Sequence, residues 1–228
     1  SEVCEQRGYD ISRMSGILRK SGILHIDKDK FDPRELRSAD KGQLGLFSKS
    51  GNFILEDRYI LPIRDMIGNV VALVGWRKND KYITTPSRYF SKDCMFYGLE
   101  QLSDTGIGKK YVVVEGIFDS LSVRSLGLNC IAQMGSSSSR YKEPMYSLFK
   151  SILGIPDMDT TGISVVKNDE WNLPLGSKYM QWTIRGQNLG IKDIDDFCKT
   201  FSKEDVYDII NESFSDTKRV VNVDLYIE

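Results

Sequence analysis

Two short apolar runs constrain this chain more than anything else in it. Lys110–Glu115 (KYVVVE) and Ser151–Ile155 (SILGI) are strand-sized and continuously apolar, and each leads into acid and glycine. The first ends in Glu115-Gly116, and the second runs through Pro156 into Asp157-Met158-Asp159-Thr160-Thr161-Gly162. A strand apolar at every position is covered on both faces, which is the condition of a parallel sheet. The surrounding pattern alternates in the same sense. It predicts a helix from about Phe118 to Leu126, a strand over Asn129 to Gln133, a helix over Glu143 to Lys150 and a strand over Lys178 to Ile184. Strand then helix, repeated, reads as an α/β domain with a largely parallel sheet and flanking helices.

Residues before about 105 follow a different grammar, that of an α+β lobe. A helix is expected over Val3 to Met14, with Ile17, Leu18, Ile23 and Leu24 as candidate buried positions. Asp32 caps a short helix with Pro33 in its first turn. Gln43 to Phe47, Phe53 to Leu55, Tyr59 to Arg64, Val70 to Arg77 and Lys81 to Thr85 read as strands of an antiparallel sheet. Met66-Ile67-Gly68-Asn69 is a hairpin turn. The expected organisation is a lobe over 1–105, the parallel-sheet domain over 106–200, and a closing helix (FSKEDVYDIINESF) and strand (RVVNVDLYIE) over 201–228 that pack on the core.

The 228 residues are 40% hydrophobic and 28% charged, a globular balance. No apolar run approaches the roughly 18–20 residues of a membrane span. The first ten residues lack a basic start and apolar stretch, so the expectation is a soluble, intracellular protein without a membrane partner. Four widely spaced cysteines with no CxxC pair and a single histidine, His25, argue against a clustered zinc site, so no zinc is expected within this chain. The cysteines are expected to be buried, reduced thiols. The net charge of −1 conceals an asymmetry: Arg58 to Lys92 holds seven Lys/Arg against two Asp/Glu, and Asp193 to Glu228 holds four against ten. The first stretch suits phosphate and the second does not.

Three acidic elements fall at predicted strand ends: Glu115, then Asp157 and Asp159, then Asp193 and Asp195 in IKDIDDF. Ligands of open parallel sheets gather beyond the carboxyl ends of the strands. Carboxylates brought together there repel one another, and a divalent cation relieves the repulsion. Oxygen-only ligands suit Mg²⁺ or Mn²⁺, which also hold substrate phosphates. Each element alone is as compatible with a solvated turn or a helix cap; the ordered combination carries the argument.

VVVEGIFDSLSV and IPDMDTTG are similar to the two signature motifs of the TOPRIM domain, shared by bacterial-type primases, topoisomerases, small RNases and OLD-type nucleases. Upstream, LEDRYILPIRDMIGNVVALVGWR and KYITTPSRYFSKDCMFYGLEQL resemble, in order and at similar spacing, the segment that precedes that domain in DnaG-type primases of bacteria and phages. The resemblance covers about residues 55–200. It implies a two-lobed primase core that makes RNA primers on single-stranded DNA from ribonucleoside triphosphates, using Mg²⁺ or Mn²⁺. By the same resemblance, Glu115 corresponds to the acid near the reacting phosphate. Asp157 and Asp159 correspond to the metal pair, and Asp119, Asp193 and Asp195 to further acids. Arg58, Arg77, Lys81 and Lys92 fall on basic positions used for nucleotide or template. Gly135 and Ser136 fall on a Gly-Ser/Thr turn able to hold an anion, although GSSSS reads equally well as a flexible loop.

The chain departs from that pattern at Thr84, which stands where the family has Asn, and at the helix after Gly162, which is interrupted by Asn168, Trp171 and Pro174. The implied zinc-binding template reader and the replicative helicase would lie outside this sequence, in a bacterial cell or phage-infected host. Two rival readings use the same residues: a metal-dependent TOPRIM nuclease, and a nucleic-acid-binding module without catalysis.

Overall fold

The computed structural model describes residues 2–26, 45–135, 139–186 and 190–227. The expected helix start at Asp32 and Pro33, residues 43 and 44 of the first expected strand, and Ser136 lie outside the described residues. The chain divides into two compact units between Ser91 and Lys92. The change of grammar near residue 105 falls later because Phe96, Leu99 and Leu102 already contribute to the second unit's core.

In the first unit the expected N-terminal helix is two: α1 (Glu2–Arg7) and α2 (Ile11–Lys20). Gly8 turns the chain with φ +69°. Asp10 then caps α2, accepting the Arg13 N–H at 3.0 Å. Of the residues expected to be buried, Leu18 is 6% exposed and Leu24 66%. Four antiparallel strands follow in the order β1 (Leu24–Ile26), β2 (Arg58–Arg64), β3 (Val70–Trp76), β4 (Ile83–Thr84). Phe53 forms only an isolated bridge with Phe47 where a strand was expected. The β2–β3 hairpin turns as predicted. Asp65 accepts the backbone N–H groups of Ile67 and Asn69 at 3.0 and 2.9 Å, and Gly68 supplies φ +90°.

The second unit is built on a five-stranded, wholly parallel sheet in the order β6 (Cys130–Ala132), β5 (Lys110–Val114), β7 (Ser151–Ile155), β8 (Lys178–Gly186), β9 (Val220–Ile227). Tyr111 to Val114 are all 0% exposed, as a strand covered on both faces requires. Tyr111 and Val113 enter a core with Tyr146, Phe149, Trp171 and Tyr179. The helices are α3 (Gln101–Thr105), α4 (Ile117–Ser125), α5 (Thr160–Asn168), α6 (Ile194–Thr200) and α7 (Lys203–Ser215). The α4 helix packs on β5, β6 and α6. The expected α-helix at Glu143 is instead a 3-10 helix, Glu143–Leu148, with Pro144 in its first turn and only six residues of length. Among the cysteines, Cys4, Cys130 and Cys198 are buried as expected, and Cys94 is exposed. Among the described residues no helix is long and apolar enough to cross a membrane.

One side chain fastens the loop before β8 to the start of β9. The Arg219 guanidinium donates to the carbonyls of Pro174 (3.1 Å), Ser177 (2.5 Å) and Leu173 (3.0 Å) and pairs with Asp169 at 2.9 Å. It also lies 5.4 Å from the Tyr179 ring. A planar five-donor fork makes these contacts together and an ammonium does not. Arg219→Ala is expected to cost about 2–3 kcal/mol and lower Tm by about 5 °C or more, with Arg219→Lys recovering little. Equal melting of Arg219→Lys and wild type would count against this account.

Candidate active site

The site is assembled at the carboxyl ends of β5 and β7. Pro156 ends β7, so its missing N–H costs no ladder bond. The next backbone N–H, that of Asp157, donates to Glu115 Oε1 at 3.2 Å. This bond brings the first two acidic elements together across 42 positions of sequence. Asp159 caps α5, accepting the Gly162 N–H at 2.9 Å. Gly162 is required by packing: a Cβ there would lie 1.8 Å from the Asp157 carbonyl oxygen. Asp193 caps α6, accepting the Asp196 N–H at 2.7 Å. Met158 N–H to Lys192 O, 2.6 Å, ties the Asp157 loop to the segment leading into Asp193.

The six acids predicted from sequence fall into two sets. Glu115, Asp157, Asp159 and Asp193 remain partly or fully open to solvent. Asp119 and Asp195 are 8% and 1% exposed. Asp119 accepts the N–H of Gly116 at 2.9 Å and that of Asp195 at 3.3 Å. Asp195 accepts a hydrogen bond from the Ser122 hydroxyl and pairs with Lys199 at 2.7 Å. These two carboxyls fasten α4 to α6 behind the open four. Ser122 and Lys199 were missed in the sequence. Each is spaced for one face of a helix, Ser122 three residues after Asp119 and Lys199 four after Asp195.

The electrostatics are strained in one direction. Burial raises the Glu115 carboxyl, and Asp159 adds repulsion. Burial also lifts Asp157 to about 7, with Glu115, Asp193 and Asp159 contributing. Asp119 is raised well above the carboxylate range by burial and by Asp193 and Asp195. Asp193 is raised mainly by burial. Among the described residues no three acid, histidine or cysteine side chains converge to form a ready-made metal cage.

The raised Asp157 makes a signed prediction. Folded protein holds a proton that the unfolded chain releases near 3.8, the ordinary value of an aspartate, so the stabilisation is full below that pH and lost as pH rises through about 7. In a chelator, wild type should lose Tm between pH 5 and pH 8 more steeply than Asp157→Asn. At pH 8 the variant should be the more stable by on the order of 1–2 kcal/mol, after discounting for partial exposure. Parallel pH profiles would sink this reading.

The predicted cations are placed unequally. Arg58 is 6% exposed, and its guanidinium is committed to Asp80 (2.5 Å) and the Lys81 carbonyl (3.1 Å). Arg77, half exposed, also pairs with Asp80 at 2.8 Å. Lys81 is exposed. In the second unit, the exposed Lys92 brings its Nζ within 3.7 Å of where a Cβ on Gly135 would be. Met134, before Gly135, has φ +61° and donates its N–H to the Glu115 carbonyl at 2.9 Å. The Gly135 turn is thereby joined to the acidic site.

No protein-family profile matches the chain. It is similar to the DNA primase of Aquifex aeolicus, at 31% identity over 172 residues, covering 68% of this chain and 32% of that protein. It is similar to the DNA primase of Synechococcus elongatus at 28% over 168 residues, 69% of this chain and 24% of that one. The chain thus spans about a third or less of these relatives. Among solved structures, the DnaG primase catalytic domain bound to ssDNA superposes with TM-score 0.70 at 19% identity, over 93% of this chain and 74% of that one. The zinc-binding and RNA polymerase domains of the Aquifex aeolicus primase give TM-score 0.69 at 24%, over 93% and 55%.

Proposed function

From the premise that the chain is a homologue of the DNA primases with the fold of the DnaG catalytic core, we propose that it is a primase core that synthesises RNA primers on single-stranded DNA. The observation that carries this reading is the Asp157 N–H bond to Glu115 Oε1, which sets two acidic motifs side by side at the carboxyl ends of adjacent parallel strands.

The donors suit a hard divalent ion. They are all oxygens, and burial with mutual repulsion raises the Glu115 and Asp157 carboxyls, a penalty that a cation would relieve. Mg²⁺ takes one or two carboxylates and completes its shell with water and phosphate, so no closed protein cage is needed. One or two of the Glu115, Asp157 and Asp159 carboxylates would hold it, with Asp193 close enough to act on Asp157. Mg²⁺ or Mn²⁺ bound there would neutralise triphosphate charge and lower the pKa of the attacking 3′-hydroxyl. Glu115 is oriented through Oε1 by Asp157, which leaves Oε2 for the reacting end of the nucleotide. Lys92 and the Gly135 turn would take the phosphates. Arg77 and Lys81 would contact nucleotide or template, and the buried Arg58 would hold the Asp80 loop that carries them. A replicative helicase and a zinc-binding template reader are proposed partners outside this chain, in the cytoplasm of a bacterial cell or phage-infected host.

The test is synthesis on single-stranded DNA with labelled ribonucleotides and Mg²⁺ or Mn²⁺. Short products that require both the ion and the template, and that vanish in Asp157→Asn/Asp159→Asn, are expected. Cleavage of the template without use of nucleotides would replace this reading with that of a nuclease.

A further inference from the structure

A lysine with no part in that scheme lies under the same corner of the sheet. Lys142 is 2% exposed. Its ammonium donates to the main-chain carbonyl of Gln133 and lies 5.3 Å from the Phe96 ring centre. An unpaired buried cation is costly, and among the described residues no carboxylate lies within ion-pair distance of this one. The carbonyl it meets occupies a decisive place. Gln133 is fully buried, its N–H bonds to the Val114 carbonyl at 2.8 Å, and its side-chain amide bonds to Tyr146 at 2.6 Å. The next residue is Met134, left-handed and bonded to the Glu115 carbonyl, and after it comes Gly135 beside Lys92.

We propose that Lys142 is a positioning residue for nucleotide binding: it anchors the exit of β6 and thereby fixes the Met134–Gly135 turn against Glu115 and Lys92. The inference rests on the primase reading, in which that turn takes the phosphates. Lys142 does not touch nucleotide. It acts through the Gln133 carbonyl, and its positive charge adds to that of Lys92 at the turn. The charged and titratable groups that face it are Asp93, Lys92 and Cys94 of one 3-10 helix. Burial brings its ammonium down to about 8.

The experiment compares equilibrium binding of Mg·ATP to wild type, Lys142→Met and Glu115→Gln, together with primer-synthesis kinetics. Lys142→Met should weaken Mg·ATP binding about tenfold, the loss of one charge-assisted hydrogen bond. The ribonucleotide KM should rise with it, while kcat and affinity for single-stranded DNA stay within about twofold. A folded Lys142→Met that binds Mg·ATP as wild type does, or that loses kcat with KM unchanged, overturns the proposal. Should that variant not fold, Lys142→Gln decides by the same two measurements: weakened Mg·ATP binding with a raised KM supports the role, and wild-type binding overturns it. Failure of the underlying reading looks different: wild type itself makes no primers.

Discussion

Glu115→Gln should give a folded protein in which primer synthesis falls at least about a thousandfold, roughly 4 kcal/mol of transition-state stabilisation. The substitution keeps an oxygen to accept the Asp157 N–H, so the junction between the β5 and β7 ends persists. It removes the charge that the proposed site would offer to a cation. The same charge is unfavourable without one: burial and Asp159 hold the Glu115 carboxyl above its ordinary range. Metal-free stability should therefore be unchanged or slightly higher at pH 8. Loss of activity with an undiminished Tm separates a catalytic role from a structural one. Retention of a tenth or more of wild-type activity would remove Glu115 from the reaction.

Gly162→Ala should be the most disruptive single methyl in the second unit. Gly162 lies in the first turn of α5, and its Cα faces the main chain of Asp157. A Cβ would stand 1.8 Å from that carbonyl oxygen and 2.8 Å from its carbon. The obstacle is backbone, which cannot rotate away as a side chain does. We expect a cost of about 3 kcal/mol or more and, in whatever protein folds, a displaced Asp157. A misplacement of about 1 Å is worth on the order of a hundredfold in rate. Thr161→Ala is the control, because Thr161 is exposed in the same turn and its loss should stay within about 0.5 kcal/mol. Comparable melting and activity of the two variants would show that the Asp-x-Asp-x-x-Gly turn tolerates a side chain at its glycine.

Much of the second unit was legible as sequence because its signals are local. Apolar runs of strand length mark β5 and β7 to within one residue, and a parallel sheet follows from their being apolar on both faces. Acids at the ends of such strands are brought together by the topology of the sheet, and the bond from Asp157 to Glu115 is the result. Signals with competing local outcomes were less reliable. Asp10, with Gly8 before it, broke the N-terminal helix, and Pro144 left a 3-10 turn where a helix was expected.

The identity of residues as acid or base was fixed by the sequence; their burial was decided only by tertiary structure. Asp119 and Asp195 look no different from Asp157 as letters. They are withdrawn because α4 packs against α6 and encloses them with Ser122 and Lys199. Arg58 lies in a basic stretch that suggests a solvent-facing role, yet Asp80 and the Lys81 carbonyl take its guanidinium inside the first unit. Lys142 follows a run of serines and carries no signal of burial at all. The physical reason is common to the three. The energy of a charge depends on the dielectric and the partners that distant segments bring to it, and no periodicity along the chain encodes those distances.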